Sequence, residues 1–344
     1  MRIRRVGQEE RGISAVVTAV SLVGLMAALT LSVDAGNLWQ TRRNIITATD
    51  ATALQEARTA ALLGPAAACQ NWNDLLVANA GSDVQPIDCN VTSDALGLSG
   101  YVTVEARKPA AVRFGGVLGL DQQSAYSMSA AEWGLLSEVE GLRPIGICLQ
   151  NAHVQGYLKL GLDLGIHPSA GVHRIMYTKD QPTACGTGSP GNWGFMDFDG
   201  GSNSNSDLVS WLLNGYPGTV GVNDCNADGA SGDSCQADTG SSGGSISSTL
   251  STLRDSGEPF TVVVFDTAVS QGGNVRYRVF AFLGVKLRNF RVTGPEALRY
   301  FDFEFTKVTV TGNCCTATGR DTGVYGARIC AVDHDPVSAA VRCL

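Results

Sequence analysis

The sequence predicts an α+β protein: a long N-terminal helix, transmembrane below and a stalk above, followed by a mainly β, disulfide-containing extracellular domain. Three observations carry this. First, residues 13–33 contain no charged side chain. A helix rises about 1.5 Å per residue, so roughly 20 apolar residues cross the hydrocarbon core of a bilayer. Second, the chain continues as DAGNLWQTRRNIITATDATALQEARTAALLG with no proline before Gly64-Pro65. Third, the remainder is rich in turn residues, with 41 glycines in the chain, and all ten cysteines come after the apolar run. Such punctuation suits short strands joined by turns.

Residues 1–11 form a basic tail in which Arg2, Arg4, Arg5 and Arg11 precede the span. The positive-inside rule puts this end in the cytoplasm and everything after Asp34 outside, although Arg42 and Arg43 lie above the span. A cleaved signal peptide is the rival reading. Its apolar region is typically 7–15 residues long and ends at a small-residue cleavage site. The run here is longer and flows on as helix. Residues 12–33 are therefore expected to be a retained anchor in the lipid bilayer of a single-pass cell-membrane protein.

Residues 34–64 continue the helix as a stalk. Leu38, Ile45, Thr49, Ala53, Ala57 and Ala60 share one face, which is made mostly of small residues. That face suits close helix packing. Two partners fit it: the same or a related subunit, docking through residues 35–63, or the chain's own globular domain. Gly64-Pro65 ends the helix, as a glycine at the C-terminus followed by proline does.

Residues 65–344 form the extracellular domain. A short helix is expected near residues 69–80, then loop to residue 100. Asn90-Val91-Thr92 is a glycosylation sequon that matters only in a eukaryotic secretory pathway. Residues 101–108 alternate as a strand. After them come a short amphipathic segment and a second strand, QQSAYSMSAAEW. Further strands are expected at 144–149, 157–166, 172–178, 259–266, 274–283, 286–293, 300–310 and 325–332. Helices are expected at 206–213 and 248–253. Residues 221–245 make a long polar, glycine-rich loop, and long loops of this kind are functional or mobile.

The formal charge is −7 and nothing basic clusters outside the N-terminus, which disfavours nucleic acid as a partner. The cysteines are even in number and contain no CxxC pair, so the usual zinc and redox spacings are missing. Export makes disulfides the natural reading, against buried free thiols. Cys69–Cys89 and Cys225–Cys235 are plausible local pairs. Cys314 and Cys315 are adjacent and are expected to pair elsewhere, for example with Cys330 and Cys343.

The strongest metal-like pattern is Asp224, Asn226 and Asp228 followed by Gly229. Oxygen ligands at alternate positions with glycine at the sixth match the start of a calcium loop. The twelfth position is Cys235 rather than glutamate, and Asp233 would have to substitute. The plainer reading is a polar loop closed by Cys225–Cys235. Asp197, Asp199 and Asp207 with Gly200-Gly201 make a second acidic loop, which reads as turn and helix-cap residues. His167 and His173 flank a turn and read as surface histidines. Trp193, Phe195 and Phe198 alternate as the core side of a strand, more naturally than as a carbohydrate platform. No nucleophile elbow is expected, and there is no HExxH motif. No catalytic residue and no cofactor other than calcium is expected.

Two stretches carry a family resemblance. Arg11-Gly12 before the span, Val33-Asp34-Ala35-Gly36-Asn37-Leu38 at its exit, Arg42-Arg43, and Thr49-Asp50-Ala51-Thr52-Ala53-Leu54 resemble the N-terminal region of TadE/TadG-like Flp pilus-assembly proteins. Val112-x-Phe114 and Val117-Leu118-Gly119, between two strands, are similar to the segment just beyond the stalk in that family, and residues 191–201 and 259–266 fit its extracellular part. The resemblance implies a non-enzymatic, membrane-anchored component of a bacterial Tad/Flp pilus or secretion apparatus, whose partners are other pilus-assembly proteins or copies of itself. The chain departs from processed pilins, which carry glutamate five residues after the cleavage glycine. That position is Val17 here. Some larger relatives carry a von Willebrand factor A domain with a DxSxS metal site. The nearest match is Asp266-Thr267-Ala268-Val269-Ser270, with Ala268 in place of the first serine. A calcium-dependent adhesin of that type is the alternative function, and a membrane-tethered hydrolase the second alternative.

Overall fold

The computed structural model describes residues 9–113, 123–164, 171–176, 194–200, 205–222, 235–237, 244–271, 274–295, 298–315, 321–332 and 341–343. The chain is an α+β protein in which a long apolar N-terminal helix leads into a mainly β region with disulfides. The expected amphipathic segment after the first hairpin strand lies outside the described residues.

Helix α1 runs without interruption through Glu9–Leu63, 55 residues, or about 80 Å. It stops at Gly64, whose φ of 96° is open to glycine and costly for other residues. Pro65 then starts a single 3₁₀ turn, Pro65–Ala67. In the upper half, Ile45, Thr49, Ala53, Ala57 and Ala60 are fully buried and Leu38 is half-buried. This is the face the sequence periodicity picks out. Of the two partners that fit it, the structure supplies the chain's own sheet.

That sheet contains β1 (Gln85–Ser93), β2 (Gly100–Ala110), β3 (Gln123–Leu135), β15 (Val324–Ile329) and β13 (Val308–Thr309), in that order. Its pairs are antiparallel except β13 with β15. Opposite residues of an antiparallel pair share a face. Val102 with Ala131, Val104 with Ser129 and Ala106 with Ser127 are therefore presented together, and all six are fully buried. The alanines of α1 let its backbone approach this surface closely. Helix α2 (Trp72–Ala80) lies beside α1, packing Leu76 and Ala80 near Ile45 and Ala48. The short helix is as expected, but the loop expected after it is the edge strand β1. Its polar sequence hides the strand, which is held by pairing with β2 and by the Cys69–Cys89 bond. Pro86 sits at the register shift of this edge, where a strand tolerates proline.

The second sheet is larger and mixed. Strand β5 (Gly146–Cys148) runs parallel to β10 (Phe260–Gln271), which pairs antiparallel with β11 (Asn274–Arg291). Strands β12 (Tyr300–Phe305) and β6 (Val172–Met176) extend it on the far side of β11. The short β9 (Gln236–Ala237) pairs with β11 and with β7 (Met196–Asp197). Helices α3 (Ala152–Leu164), α4 (Asn205–Asn214) and α5 (Gly244–Ser256) share one hydrophobic cluster with Val262, Val264, Leu283 and Phe303 of this sheet. The opposite face, with Val263 and Phe282, meets Val308 and Val324 of the first sheet. A third sheet, β4 (Glu138–Glu140) between β8 (Thr219–Gly221) and β14 (Gly312–Asn313), lies beside that junction through Val139 and Val220. Strands β16 (Ala331–Val332) and β17 (Val341–Arg342) close the C-terminal region.

Three further expectations are corrected. The strand expected at 157–166 is helix α3. YLKLGLDL alternates apolar and polar residues, but Val154, Tyr157 and Leu158 recur at helical spacing and are buried. Asn151 caps this helix by accepting the His153 N–H at 3.0 Å. The strands expected at 274–283 and 286–293 are one strand, β11. Gly284 between them is no turn: a Cβ there would sit 2.3 Å from the Thr306 carbonyl oxygen, so the glycine serves a close backbone approach. The strand expected at 300–310 is two, β12 and β13, which join different sheets.

Candidate functional site

The strongest functional feature is the lower half of α1. Val16, Val17, Val20, Val23, Leu25 and Met26 are all more than half exposed. The most apolar stretch has a mean hydropathy of 2.2 and none of it is buried. Burial of apolar area is worth about 25 cal/mol per Å², and none of that gain is made within the chain along this stretch. This is one helix long and apolar enough to cross a membrane.

Its upper limit is marked by contacts to the first sheet. The Arg113 N–H donates to Asp34 Oδ1 at 2.8 Å, and Asn37 Nδ2 reaches the Ala111 carbonyl at 3.5 Å. The β2 end of the hairpin is thereby held level with the last apolar residue, Val33. Above it Trp39 is 61% exposed, and the Arg43 guanidinium lies 4.7 Å over its ring. The pair has a signal in the sequence: a tryptophan just past an apolar run with an arginine four residues on, a helical spacing.

The expected calcium ligands Asp224, Asn226, Asp228 and Asp233 all lie outside the described residues. In the second acidic loop, Asp197 is buried in β7 and accepts the Asp199 N–H at 3.1 Å. Burial, then the neighbouring Asp199, pushes its carboxyl up to about 6. Asp207 falls in the first turn of α4, where an acidic side chain suits the helix dipole. The turn-and-cap reading thus covers Asp197, which although buried in β7 takes the N–H two residues on, and Asp207 at the start of the helix. Asp266, the first residue of the von Willebrand-like pattern, makes two 2.8 Å hydrogen bonds to Arg278. Phe195 and Phe198 are buried in the core as expected, but they flank the two-residue β7 and enter different hydrophobic clusters rather than lining one side of a strand, and Trp193 lies outside the described residues.

His173 stacks near His153, with ring centroids 4.6 Å apart, and its companion His167 lies outside the described residues. Burial, then His153, lowers the His173 pKa. A buried trio escaped the sequence reading altogether. Tyr325 donates to Asp321 Oδ1 at 2.7 Å, and burial and then Asp321 raise the pKa of both Tyr325 and Tyr157. No spacing pattern links residues 157 and 321, so the fold alone assembles them.

Cys69–Cys89 forms as expected. Cys314 and Cys315 do not pair with Cys330 and Cys343: they bond to one another, and Cys330 bonds Cys343. The short β16–β17 hairpin brings Cys330 and Cys343 together, which fills the partner that Cys314 or Cys315 was expected to take. Cys148 and Cys235 are also disulfide-bonded; Cys225, the expected partner of Cys235, lies outside the described residues. Among the described residues the sole close group of potential metal ligands is Glu132, Cys330 and Cys343. Both cysteines are in the disulfide, so no thiolate is offered there.

No family model, curated protein or solved structure matches this chain.

Proposed function

We propose that this chain is a single-pass membrane-anchored, non-enzymatic component of a bacterial Tad/Flp-type pilus assembly or secretion apparatus, acting by anchoring and protein–protein interaction. The observation that carries this reading is the division of α1. One helix leaves its lower half apolar and bare while its upper half is buried on its own sheet. An anchor and a domain joined by continuous helix hold a fixed distance and direction from the membrane. The basic tail favours a cytoplasmic N-terminus. The disulfides of the β region fit a domain outside the cytoplasm. The resemblance of residues 11–54 to TadE/TadG-like proteins supplies the system.

The test has two parts. The full chain should resist carbonate extraction from membranes, with its β region open to protease from outside intact cells. Deleting it from its host should abolish surface pili, restored by the whole chain but not by one lacking residues 9–33. Normal pili in the deletion strain would refute the pilus role, and carbonate-soluble protein would refute the anchor.

A further inference from the structure

We propose that Trp39, Arg42, Arg43 and Arg113 form a collar that binds anionic phospholipid headgroups at the upper membrane surface. The collar sets the depth of α1 and holds the first sheet against the bilayer. This rests on the membrane reading of α1 above.

Heights along the helix place the collar. Residues 13–33 rise about 30 Å, the thickness of the hydrocarbon core. The headgroup layer adds roughly 5–8 Å on each side. Trp39 is six residues past Val33, about 9 Å up, at the outer border of that layer, where exposed tryptophan is favoured. Arg42 and Arg43 start higher, but side chains on a helix lean toward its N-terminus. Arg43 does so visibly, with its guanidinium over the ring of Trp39. Both arginines therefore reach down toward the lipid. Arg113 belongs to another element, yet its backbone bond to Asp34 brings it to the top of the apolar run.

Charge selects the occupant. Arg42, Arg43 and Arg113 are exposed and form no ion pair among the described residues. Asp34 is the sole acidic residue between Ile13 and Trp39, so the collar carries a clear positive excess. Guanidinium groups bind phosphate oxygens in a two-pronged fashion. A phosphodiester headgroup with net negative charge fits three arginines near one level of the helix better than a zwitterionic one does.

The test uses the full chain in bilayers of phosphatidylcholine containing about 30% phosphatidylglycerol. Spin-labelled lipids report the relative association of each headgroup with the protein. The basic tail also attracts anionic lipid, so the collar is read from the difference between the wild type and an Arg42→Gln/Arg43→Gln/Arg113→Gln variant. Each basic residue near an anionic surface is worth about a five-fold change in partitioning. The triple variant should lose at least one such factor of selectivity, and about 0.5 M salt should weaken the wild type in the same direction. The matching triple lysine variant should keep most of the selectivity, which separates charge from misfolding. In parallel, Trp39→Phe should remove quenching by lipids brominated near the headgroup. A glutamine variant as selective as the wild type, or unchanged quenching in Trp39→Phe, would overturn the collar alone. Protein that immobilises neither lipid would overturn the membrane reading and the collar with it.

Discussion

Thr49 Oγ1 lies 2.7 Å from Ser129 Oγ in a fully buried helix–sheet interface, with Ser127 Oγ at 2.9 Å. The same oxygen lies 3.0 Å from the carbonyls of Ile45 and Ile46. A threonine hydroxyl has one proton and two acceptor sites. It can donate to its own helix while both serines donate to it, which leaves all three hydroxyls satisfied. This fixes α1 along its axis, where a surface of alanines alone would let it slide.

Thr49→Val keeps the shape and removes the shared acceptor. Two buried serine hydroxyls then lose a partner, at a cost of about 1–3 kcal/mol. Urea unfolding of the full chain in micelles should show the loss. Adding Ser127→Ala and Ser129→Ala should recover much of it, because an apolar trio leaves nothing unpaired. A triple variant less stable than the single would contradict the shared-hydroxyl account.

Small size on this face is a packing requirement. Ala57 is fully buried in the cluster that includes Val102 and Trp133. Ala57→Leu should destabilise the chain by about 1–3 kcal/mol through overpacking. Ala51→Leu, on the exposed side of the same helix, should change stability by less than about 0.5 kcal/mol. Equal effects at the two sites in a thermal melt would mean that α1 does not rest on the sheet by this face.

The contrast between those positions explains what could be read in advance. Helix α1, its length and its packing face come from periodicity and from Gly64-Pro65, which are local signals. Strand β2 was legible because Val102, Val104 and Ala106 alternate. Strand β1 was not, since its exposed edge carries no alternation and its stability comes from β2 and from Cys69–Cys89. YLKLGLDL misled because its alternation fits a strand, while its helical contacts depend on partners far along the chain. Gly284 has the same lesson: a glycine inside a strand pattern marks either a turn or a close neighbour, and only the distant Thr306 carbonyl decides which. At the candidate site, the apolar run was plain in the sequence. Its link to Arg113 was not, since residues 34 and 113 meet only through the hairpin.

Cys69–Cys89 closes a loop with a sequence separation of 20 around α2. Chain-entropy reasoning for a loop of this size gives about 3 kcal/mol. Cys69→Ala with Cys89→Ala should lower unfolding stability by roughly that amount. Non-reducing peptide mapping of the wild type should recover the 69–89 link. Recovery of Cys69 bonded to a different cysteine would displace both the pairing and the edge strand it supports.

Asp197 makes stability depend on pH in a direction opposite to that of an ion-paired acid. Its carboxyl is raised from 3.8 to about 6, first by burial and then by Asp199. The folded chain therefore holds this proton more tightly than the unfolded one. Between about pH 4 and 6 the folded state binds more protons, so stability from this group falls as pH rises. Above about pH 6 the charged form is buried at full cost, which we put at about 1–3 kcal/mol. Asp197→Asn keeps an oxygen for the Asp199 N–H and removes the charge. It should be more stable than the wild type at about pH 7.5, with the difference shrinking toward zero near pH 4. Denaturant titrations at both pH values, compared between the two proteins, isolate this group from the other carboxylates. A stability difference that stays the same from about pH 4 to 7.5 would show that Asp197 titrates like an exposed acid.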